Sequence, residues 1–595
     1  MNKYNSDILI SLYKYNFDNQ RTLADSCKCS LGMVNKSLKE LKQNDYIDEN
    51  MNLTNKSIAL FNNSRPQNAI ILAAGYGMRM VPINTIQPKG LLEVQGETLI
   101  ERIINQLHAV GVTEILIVVG FMKEKYEFLI DKYNVKLIVN NQYFQKNNLF
   151  SLNCAKSYIT NSYIIPCDIW CNNNPFNEYE LYPWYMVSDI IDDNSEVRVN
   201  RAMELVKVSD NSAGNTMIGI SYISNDIADT LKDNISTLCK NNKHNNSFWE
   251  TALYDNGKML TQAKVVYSED VVEINSYEQL RDLDNSSNSL STLAIETISN
   301  TLNISPDEIS QIEVLKKGMT NRSFTFVAKN KKYIMRIPGE GTEKLINRKN
   351  EATVYDTIKN LNLCDNTVYI NSNNGYKITE FVENARVCNP QDNEDLKKCM
   401  EKLRTFHQLN LTVEHEFNVF AQIDYYESLW DGKKSIYSDY SKTKEQVLSL
   451  KDYVSSIQKE YVLCHIDAVP DNFLITNNNI QLIDWEYAGM QDPHVDIAMF
   501  VVYSLYNSKE QVDNLIDIYF EGKCTMENRI KIYCYISMCG LLWSNWCEYK
   551  SHLGIDFGEY SLAQYRYAKE YYRIATSLID KNISKEVDNH ELYCG

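Results

Sequence analysis

The stretch "YVLCHIDAVPDNFLITNNNIQLIDWEYAG", residues 461–489, decides how the second half of the chain is read. It is loop and short strand inside a region whose apolar spacing is otherwise mainly helical. Asp467 is followed five residues later by Asn472, and Asp484 stands twelve beyond that, directly after the apolar run "IQLI". Each of the three sits beside a buried strand, where a short loop fixes the direction of a side chain. Carboxylate and amide oxygens of this kind are hard ligands, suited to a magnesium ion and the phosphates it gathers. His465, two residues before Asp467, is read as support for the loop through hydrogen bonds.

Working outward, "IEVLKKGMTNRSFTFVAKNKKYIMRIPG" reads as two or three antiparallel strands. A glycine-bearing turn from Gly318 to Ser323 links the first two. Arg336 lies near the end of this run, and Glu351 falls on the helix that follows. Glu380 and Phe381 come directly after the strand "YKIT". The Asp–Asn–Asp spacing is that of the protein-kinase catalytic loop. With "HIDAVPDNFLI", "IDWEYAG" and "DPHVDIA" quoted together, residues 310 to 580 resemble the bacterial choline kinases of the choline/ethanolamine kinase and aminoglycoside phosphotransferase superfamily. The resemblance implies a protein-kinase-like fold. It makes Asp467 the residue that orients and deprotonates a hydroxyl, and Asn472 and Asp484 the holders of Mg²⁺ against ATP. Gly318 would cover the phosphates. Arg336 would stand where protein kinases have their strand lysine, paired with Glu351. Glu380 and Phe381 would form the adenine-side hinge. "LLWSNWCEYK" and "YSLAQYRYAKEYY" resemble the choline-binding end of the family, which makes Trp543, Trp546 and Tyr565 candidate cage walls and Glu486 a carboxylate facing the ammonium.

Earlier in the chain, "AIILAAGYGMRMVPINTIQPKG" reads as a buried strand breaking into a glycine loop. A dinucleotide site would need Gly-x-Gly-x-x-Gly, and Met80 stands in the last position; a Walker A loop needs Gly-Lys-Ser/Thr, which is absent. A glycine turn with two cations, Arg79 and Lys89, is left. Such a turn can cradle phosphate oxygens with backbone N–H groups. Alternating strand and helix patterns follow to about residue 290, which predicts a Rossmann-like α/β domain with a parallel sheet.

"AAGYGMRM…PKGLLEVQGETLIERIINQL" resembles the sugar-nucleotide and phosphocholine nucleotidyltransferases, whose members carry a Gly-x-Gly-x-Arg loop followed by Pro-Lys. The resemblance implies that Gly75, Gly77, Arg79 and Lys89 meet the nucleoside triphosphate, with Ala73 and Ala74 along the base. It makes Asp168 a Mg²⁺ ligand at the end of a central strand and Asn275, in "VVEINSYEQL", the second. An asparagine brings no charge to a metal, and Asn275 has the alternative of capping the next helix. The phosphocholine members have an aromatic acceptor site, and here Trp170, Trp184, Tyr185, Trp249 and Glu250 fall in the corresponding region.

The three segments are thus 1–65, 67–290 and 293–595. The first reads helix, turn, helix with "YIDENMNLTNKSIALF" as a two-stranded wing, and resembles the winged helix-turn-helix of bacterial regulators. Asn35, Lys36, Lys39 and Lys42 would be the DNA contacts. Over residues 1–66, nine Lys and Arg stand against seven Asp and Glu. The whole chain of 595 residues carries a formal charge of −17, which argues against a general grip on nucleic acid. Its 15 cysteines are scattered, with only Cys27 and Cys29 close together, and suit neither a zinc site nor a disulfide framework. With no run of about 18 apolar residues and no basic-then-apolar start, the chain is read as cytoplasmic and without a transmembrane segment. Both resemblances together imply a bifunctional enzyme that phosphorylates choline with ATP and joins phosphocholine to CMP from CTP. The alternatives are the same scaffolds acting on ethanolamine or a sugar, or a DNA-binding regulator whose enzyme-like domains sense ligands.

Overall fold

A computed structural model describes residues 1–593 apart from 16, 18, 28, 209–211, 316–320, 340, 458–459, 478 and 554–556, with side chains described to residue 581, that of Asn321 excepted. The chain folds as two compact units, Met1–Glu296 and Thr297–Gly595. Among the described residues no helix is long and apolar enough to cross a membrane. The expected phosphate-covering Gly318 lies outside the described residues.

The first unit opens with helices Lys3–Lys14, Gln20–Ser26 and Leu31–Gln43, as the spacing of Leu23, Val34, Leu38 and Leu41 predicts. The expected wing is different. Ile47 and Leu53 form one isolated antiparallel bridge, and "NKSIALFNN" is a helix, Asn55–Asn63. Thr54 caps that helix by accepting from the Ser57 N–H, and the Ser57 hydroxyl donates to the Tyr46 carbonyl. Local polar groups thereby start a helix where a second wing strand was expected.

The α/β part is built on strand Asn68–Ala73, buried throughout. Ala69, Ile71 and Ala73 point into one apolar cluster, with helix Leu99–Ala109. Ile70, Leu72 and Ala74 point into another, with helices Asn148–Ala155 and Asn225–Cys239. A strand covered on both faces has to be apolar at every position, which is why this run shows no alternation. It pairs in parallel with Glu114–Val119 and Ser162–Pro166, and Lys136–Val139 extends that half. The other half is mixed, not parallel as expected. Gly214–Ile223 runs antiparallel to Ser162–Pro166 and to Trp184–Asp192, and the latter is parallel to Lys258–Val266. Among the described residues, the connection between Trp184–Asp192 and Gly214–Ile223 holds short strands and no crossover helix, which an antiparallel pair permits.

The second unit has a five-stranded antiparallel sheet, in the order Ser310–Val314, Asn321–Ala328, Lys331–Pro338, Lys377–Glu380, Thr367–Ile370. Helix Arg348–Ile358 follows its third strand. The rest is helical around Met526–His552, which is buried from Ile530 to Lys550. Two short antiparallel strand pairs interrupt the helices: Val462–Cys464 pairs with Gly489–Gln491, and between them in sequence Phe473–Ile475 pairs with Ile480–Leu482. These are the strands that flank Asp467, Asn472 and Asp484.

Candidate active sites

In the first unit, a two-stranded ladder assembles the charged cluster. Ile169–Cys171 pairs antiparallel with Val271–Glu273, and the ladder continues where the Ile274 N–H donates to the Asp168 carbonyl at 2.9 Å. Asp168 and Asn275, 107 positions apart in sequence, are thereby brought together. The Lys89 ammonium bridges them, 2.8 Å from Asp168 Oδ2 and 2.8 Å from Asn275 Oδ1. Arg79 donates to the same Asn275 oxygen at 2.9 Å. Asn275 is not the helix cap; Ser276 fills that role, in a capping box with Gln279. Gly77 adopts φ +62°, and a Cβ there would come within 3.0 Å of Lys89 Cγ. A glycine is therefore required twice at this position, for the left-handed turn and for the lysine stem lying on it. Ala73 and Ala74 are buried at the strand end, and the Ala74 carbonyl accepts from the Phe121 N–H. A Cβ at Gly75 would meet open space.

Glu273, which the sequence reading did not single out, joins this cluster. It lies two residues before Asn275, hence on the same side of an extended segment, which is the signal that could have found it. Partial desolvation first, and the Asp168 charge next, raise its carboxyl above the ordinary range, against the Asn275 hydrogen bond.

The aromatic candidates divide. Tyr185 donates to Glu250 Oε1 at 3.1 Å, and the Trp249 ring lies 6.0 Å from that of Tyr185. Glu250 Oε2 is enclosed and accepts no hydrogen bond. Burial pushes the Glu250 carboxyl up to about 7, with Glu273 adding to the rise, so this group stands within the field of the charged cluster. Gly219, at φ +95°, keeps the space beside Glu250 open: a Cβ there would sit 3.7 Å from Glu250 Oε1 and 2.6 Å from Pro166 Cγ. Trp184 projects from the opposite face of its strand, where its indole N–H donates to Glu180 and Lys264 covers its ring at 3.8 Å. Trp170 donates to Asn172, with the Arg102 guanidinium 3.9 Å over its ring. The structure groups Tyr185, Trp249 and Glu250, and places Trp184 and Trp170 elsewhere, each already beneath a cation.

In the second unit, the Asn472 amide donates to the Asp467 carbonyl at 2.9 Å and to Asp467 Oδ2 at 3.0 Å. Burial, then the charges of Asp484 and Glu486, push the Asp467 carboxyl up to about 8. Asp484 adopts φ +66°, and its Oδ1 is enclosed without a hydrogen-bond donor. Arg336 pairs with Glu351 and lies 3.5 Å from Asp484 and 3.6 Å from Glu486; it also donates to the Gly375 carbonyl at 3.0 Å. Arg348, a further cation the sequence reading missed, meets Glu351 at 2.8 Å and Glu486 at 3.2 Å. Burial opposes the Glu351 charge, but Arg336, Lys377 and Arg348 outweigh it and hold the carboxyl at about 2. Glu486 is therefore neutralised by two guanidinium groups rather than presented alone to a ligand. Glu351→Ala is expected to destabilise this unit by about 3–5 kcal/mol, because it removes the nearest acid from two buried cations and leaves them their longer contacts to Asp484 and Glu486; the fall in its thermal midpoint measures this.

His465 is neutral, held down to about 4 by burial, and its Nε2 meets the Ile483 carbonyl at 2.9 Å. That is the supporting role expected of it. The loop backbone is clamped by Asp496, which accepts from the N–H groups of His465 and Ile466 at 2.8 and 2.6 Å. Asp496 in turn meets His407 at 3.0 Å. The Glu380 and Phe381 N–H groups are engaged by the Asn366 and Lys332 carbonyls, and the Glu380 side chain pairs with Lys331. The candidate cage residues Trp543 and Trp546 lie in a run of rings, Tyr487–Trp543 (5.7 Å), Trp543–Trp546 (5.5 Å) and Trp546–Phe557 (5.2 Å). The hydroxyls of Tyr426 and Tyr487 feel the charges of both Asp467 and Glu486, which places them beside the charged cluster. Tyr565 is elsewhere, stacked on Tyr437 at 3.8 Å and bonded to Asp439 and Thr443. On helix Leu31–Gln43, Lys42 pairs with Glu49 and Lys36 lies 3.9 Å from Glu40, while Asn35 and Lys39 are exposed.

Residues 312–537 match the choline/ethanolamine kinase family, and residues 69–175 match the MobA-like NTP transferase domain. Protein LicA of Haemophilus influenzae is 30% identical over 261 residues, spanning 41% of this chain and 95% of that protein. The choline-phosphate cytidylyltransferase of Streptococcus pneumoniae is 29% identical over 230 residues, spanning 36% of this chain and 96% of that protein. The crystal structure of choline kinase LicA from Streptococcus pneumoniae aligns at 30% identity with a TM-score of 0.42, covering 47% of this chain and 96% of that one.

Proposed function

The chain belongs to the choline/ethanolamine kinase family, and from that premise we propose a bifunctional enzyme that phosphorylates choline with ATP and transfers CMP from CTP to phosphocholine, releasing pyrophosphate. Residues 293–595 carry the first reaction and 67–290 the second. The observation that carries this reading is the presence of two separate carboxylate–amide clusters in one chain, each beside aromatic side chains. The product of one reaction is the substrate of the other.

In the kinase half, the Asp467 carboxylate takes the proton of the choline hydroxyl as that oxygen attacks the γ-phosphorus, whose bond to the β,γ-bridging oxygen breaks to release ADP. Arg336, fixed by Glu351, faces the phosphates. Trp543, Trp546, Tyr487 and Phe557 offer aromatic faces to the trimethylammonium group. In the cytidylyl half, Arg79 and Lys89 neutralise charge on the triphosphate while a phosphocholine oxygen attacks the α-phosphorus and pyrophosphate leaves. Tyr185, Trp249 and Glu250 form the acceptor end. The enclosed Asp484 Oδ1, which accepts no hydrogen bond and has the Arg336 charge 3.5 Å away, and the convergence of Asp168 and Asn275 on one cation fit hard-ion ligand sets. Asn472 with Asp484, and Asp168 with Asn275 and Glu273, would hold Mg²⁺, which supplies charge neutralisation at the phosphates. A cytoplasmic location, where ATP and CTP are at hand, accords with this chemistry. Residues 1–65 are read as a helix-turn-helix module carried by the enzyme. DNA contact through them finds no support in charge, since Lys36 and Lys42 already face acids.

Product analysis tests the proposal. Choline with Mg²⁺ and ATP is expected to give phosphocholine, and addition of CTP to give CDP-choline and pyrophosphate. Ready phosphorylation of a sugar with choline ignored would overturn it. The acceptor end has its own test. The Glu250 carboxyl ionises as pH rises through about 7, and only the ionised form attracts an ammonium group. The KM for phosphocholine is expected to fall across that range in the wild type, and to be higher and flat in Glu250→Gln.

A further inference from the structure

Residues 1–65 share a core with the domain that follows them. Tyr179 and Leu181 are buried in the same apolar cluster as Ile8, Leu9, Val34 and Leu38. Tyr13 stacks on Phe61 with centroids 4.3 Å apart, and Tyr179 meets the edges of both, at 5.1 and 5.2 Å. Arg65 donates to the Tyr179 hydroxyl at 2.6 Å.

Glu180, the next residue, faces both ways. Its backbone N–H donates to the Ser64 carbonyl at 3.0 Å. Its carboxylate enters the sheet, where Oε1 accepts from Tyr163 at 2.8 Å and Asn177 at 3.0 Å, and Oε2 accepts from the Trp184 indole at 2.9 Å. Trp184 opens the strand on which Tyr185, on the other face, donates to Glu250. A second tie reaches the same place. Gln262 is in register with Trp184, and its side-chain oxygen accepts from the Lys3 N–H at 3.0 Å.

We propose that the N-terminal helices are a positioning element of the phosphocholine pocket, with Glu180 as the residue that fixes Trp184, and through it Tyr185 and Glu250. The proposal rests on reading Tyr185, Trp249 and Glu250 as the acceptor end. A carboxylate accepts from all three donors; a leucine in its place accepts from none, and of the three only the Trp184 indole N–H cannot turn to serve as an acceptor instead. A buried donor left without an acceptor is costly, so the Trp184 ring shifts to relieve it. The backbone it shares with Tyr185 shifts with it, and displacement of a substrate-orienting group is felt strongly in the reaction.

Steady-state kinetics on the full chain test this, with the KM for CTP as the control for folding of the first unit and choline phosphorylation as the control for the amount of protein. Glu180→Leu is expected to raise the KM for phosphocholine about tenfold, with the KM for CTP and the kinase reaction unchanged. Tyr179→Ala should act in the same direction and Tyr179→Phe should stay near wild type. Trp184→Phe, which keeps a ring and loses only the N–H, gives the same effect if Glu180→Leu folds poorly. An unchanged phosphocholine KM in these variants, or phosphocholine and CTP constants rising together, overturns the proposal. If Glu250→Gln raises the phosphocholine KM while Glu180→Leu does not, the positioning role alone falls. If Glu250→Gln leaves it unmoved, the acceptor reading falls as well.

Discussion

Asp467→Asn is expected to stop ATP-dependent phosphorylation of choline, lowering its turnover by about 10²–10⁴-fold, the usual worth of a positioned general base. CMP transfer to supplied phosphocholine is expected to continue at the wild-type rate. The geometry behind this is local. Asn472 holds Asp467 Oδ2 at 3.0 Å, and Asp496 holds the two N–H groups before it. The carboxyl is therefore fixed and cannot be replaced by a neighbouring acid. Burial with the Asp484 and Glu486 charges raises its proton affinity, so the wild-type rate is expected to climb with pH along an acid limb. In the asparagine variant the residual rate loses that limb. A pH profile of both proteins at saturating ATP checks the assignment.

Asp168→Asn is expected to have the reverse effect. Cytidylyl transfer should fall by about 10²–10³-fold, with choline phosphorylation untouched. The substitution keeps size and removes charge, so the ladder through the Ile274 N–H survives. What changes is that Lys89 loses the carboxylate it meets at 2.8 Å, and a divalent cation would lose one of its two carboxylates and keep Glu273, whose own charge is disfavoured by burial. Asn275 on the far side offers only a neutral oxygen. Measuring pyrophosphate release from CTP and phosphocholine gives the loss directly.

How much of this was legible in the sequence depends on how far apart the partners lie. Asp467, Asn472 and Asp484 fall within eighteen positions, flanked by short strands, and their spacing alone brought them together. Gly77 and Lys89 were legible for the same reason. Glu273 was not, because it reaches Asp168 only through a ladder between strands about a hundred residues apart. Trp184 and Tyr185 are neighbours in sequence, and alternation puts them on opposite faces, but only the packed sheet tells which face holds Glu250. Tyr565 shares the aromatic-rich C-terminal end with Trp543 and Trp546, yet its hydroxyl is drawn to Asp439 and Thr443. Tyr487, next to Glu486 in sequence, is the tyrosine whose ring meets Trp543 instead. The missed wing reflects a helix start, Thr54 and Ser57, written in residues that read equally well as a polar turn.

Independence of the two sites is open to one direct measurement: choline, ATP, CTP and Mg²⁺ given to Asp467→Asn protein, to Asp168→Asn protein, and to an equal mixture of both. Neither variant alone should make CDP-choline, and the mixture should, because phosphocholine released by one is used by the other. CDP-choline from either single variant, or a mixture that stays inactive while each protein keeps its remaining half-reaction, would contradict two separate pockets working in sequence.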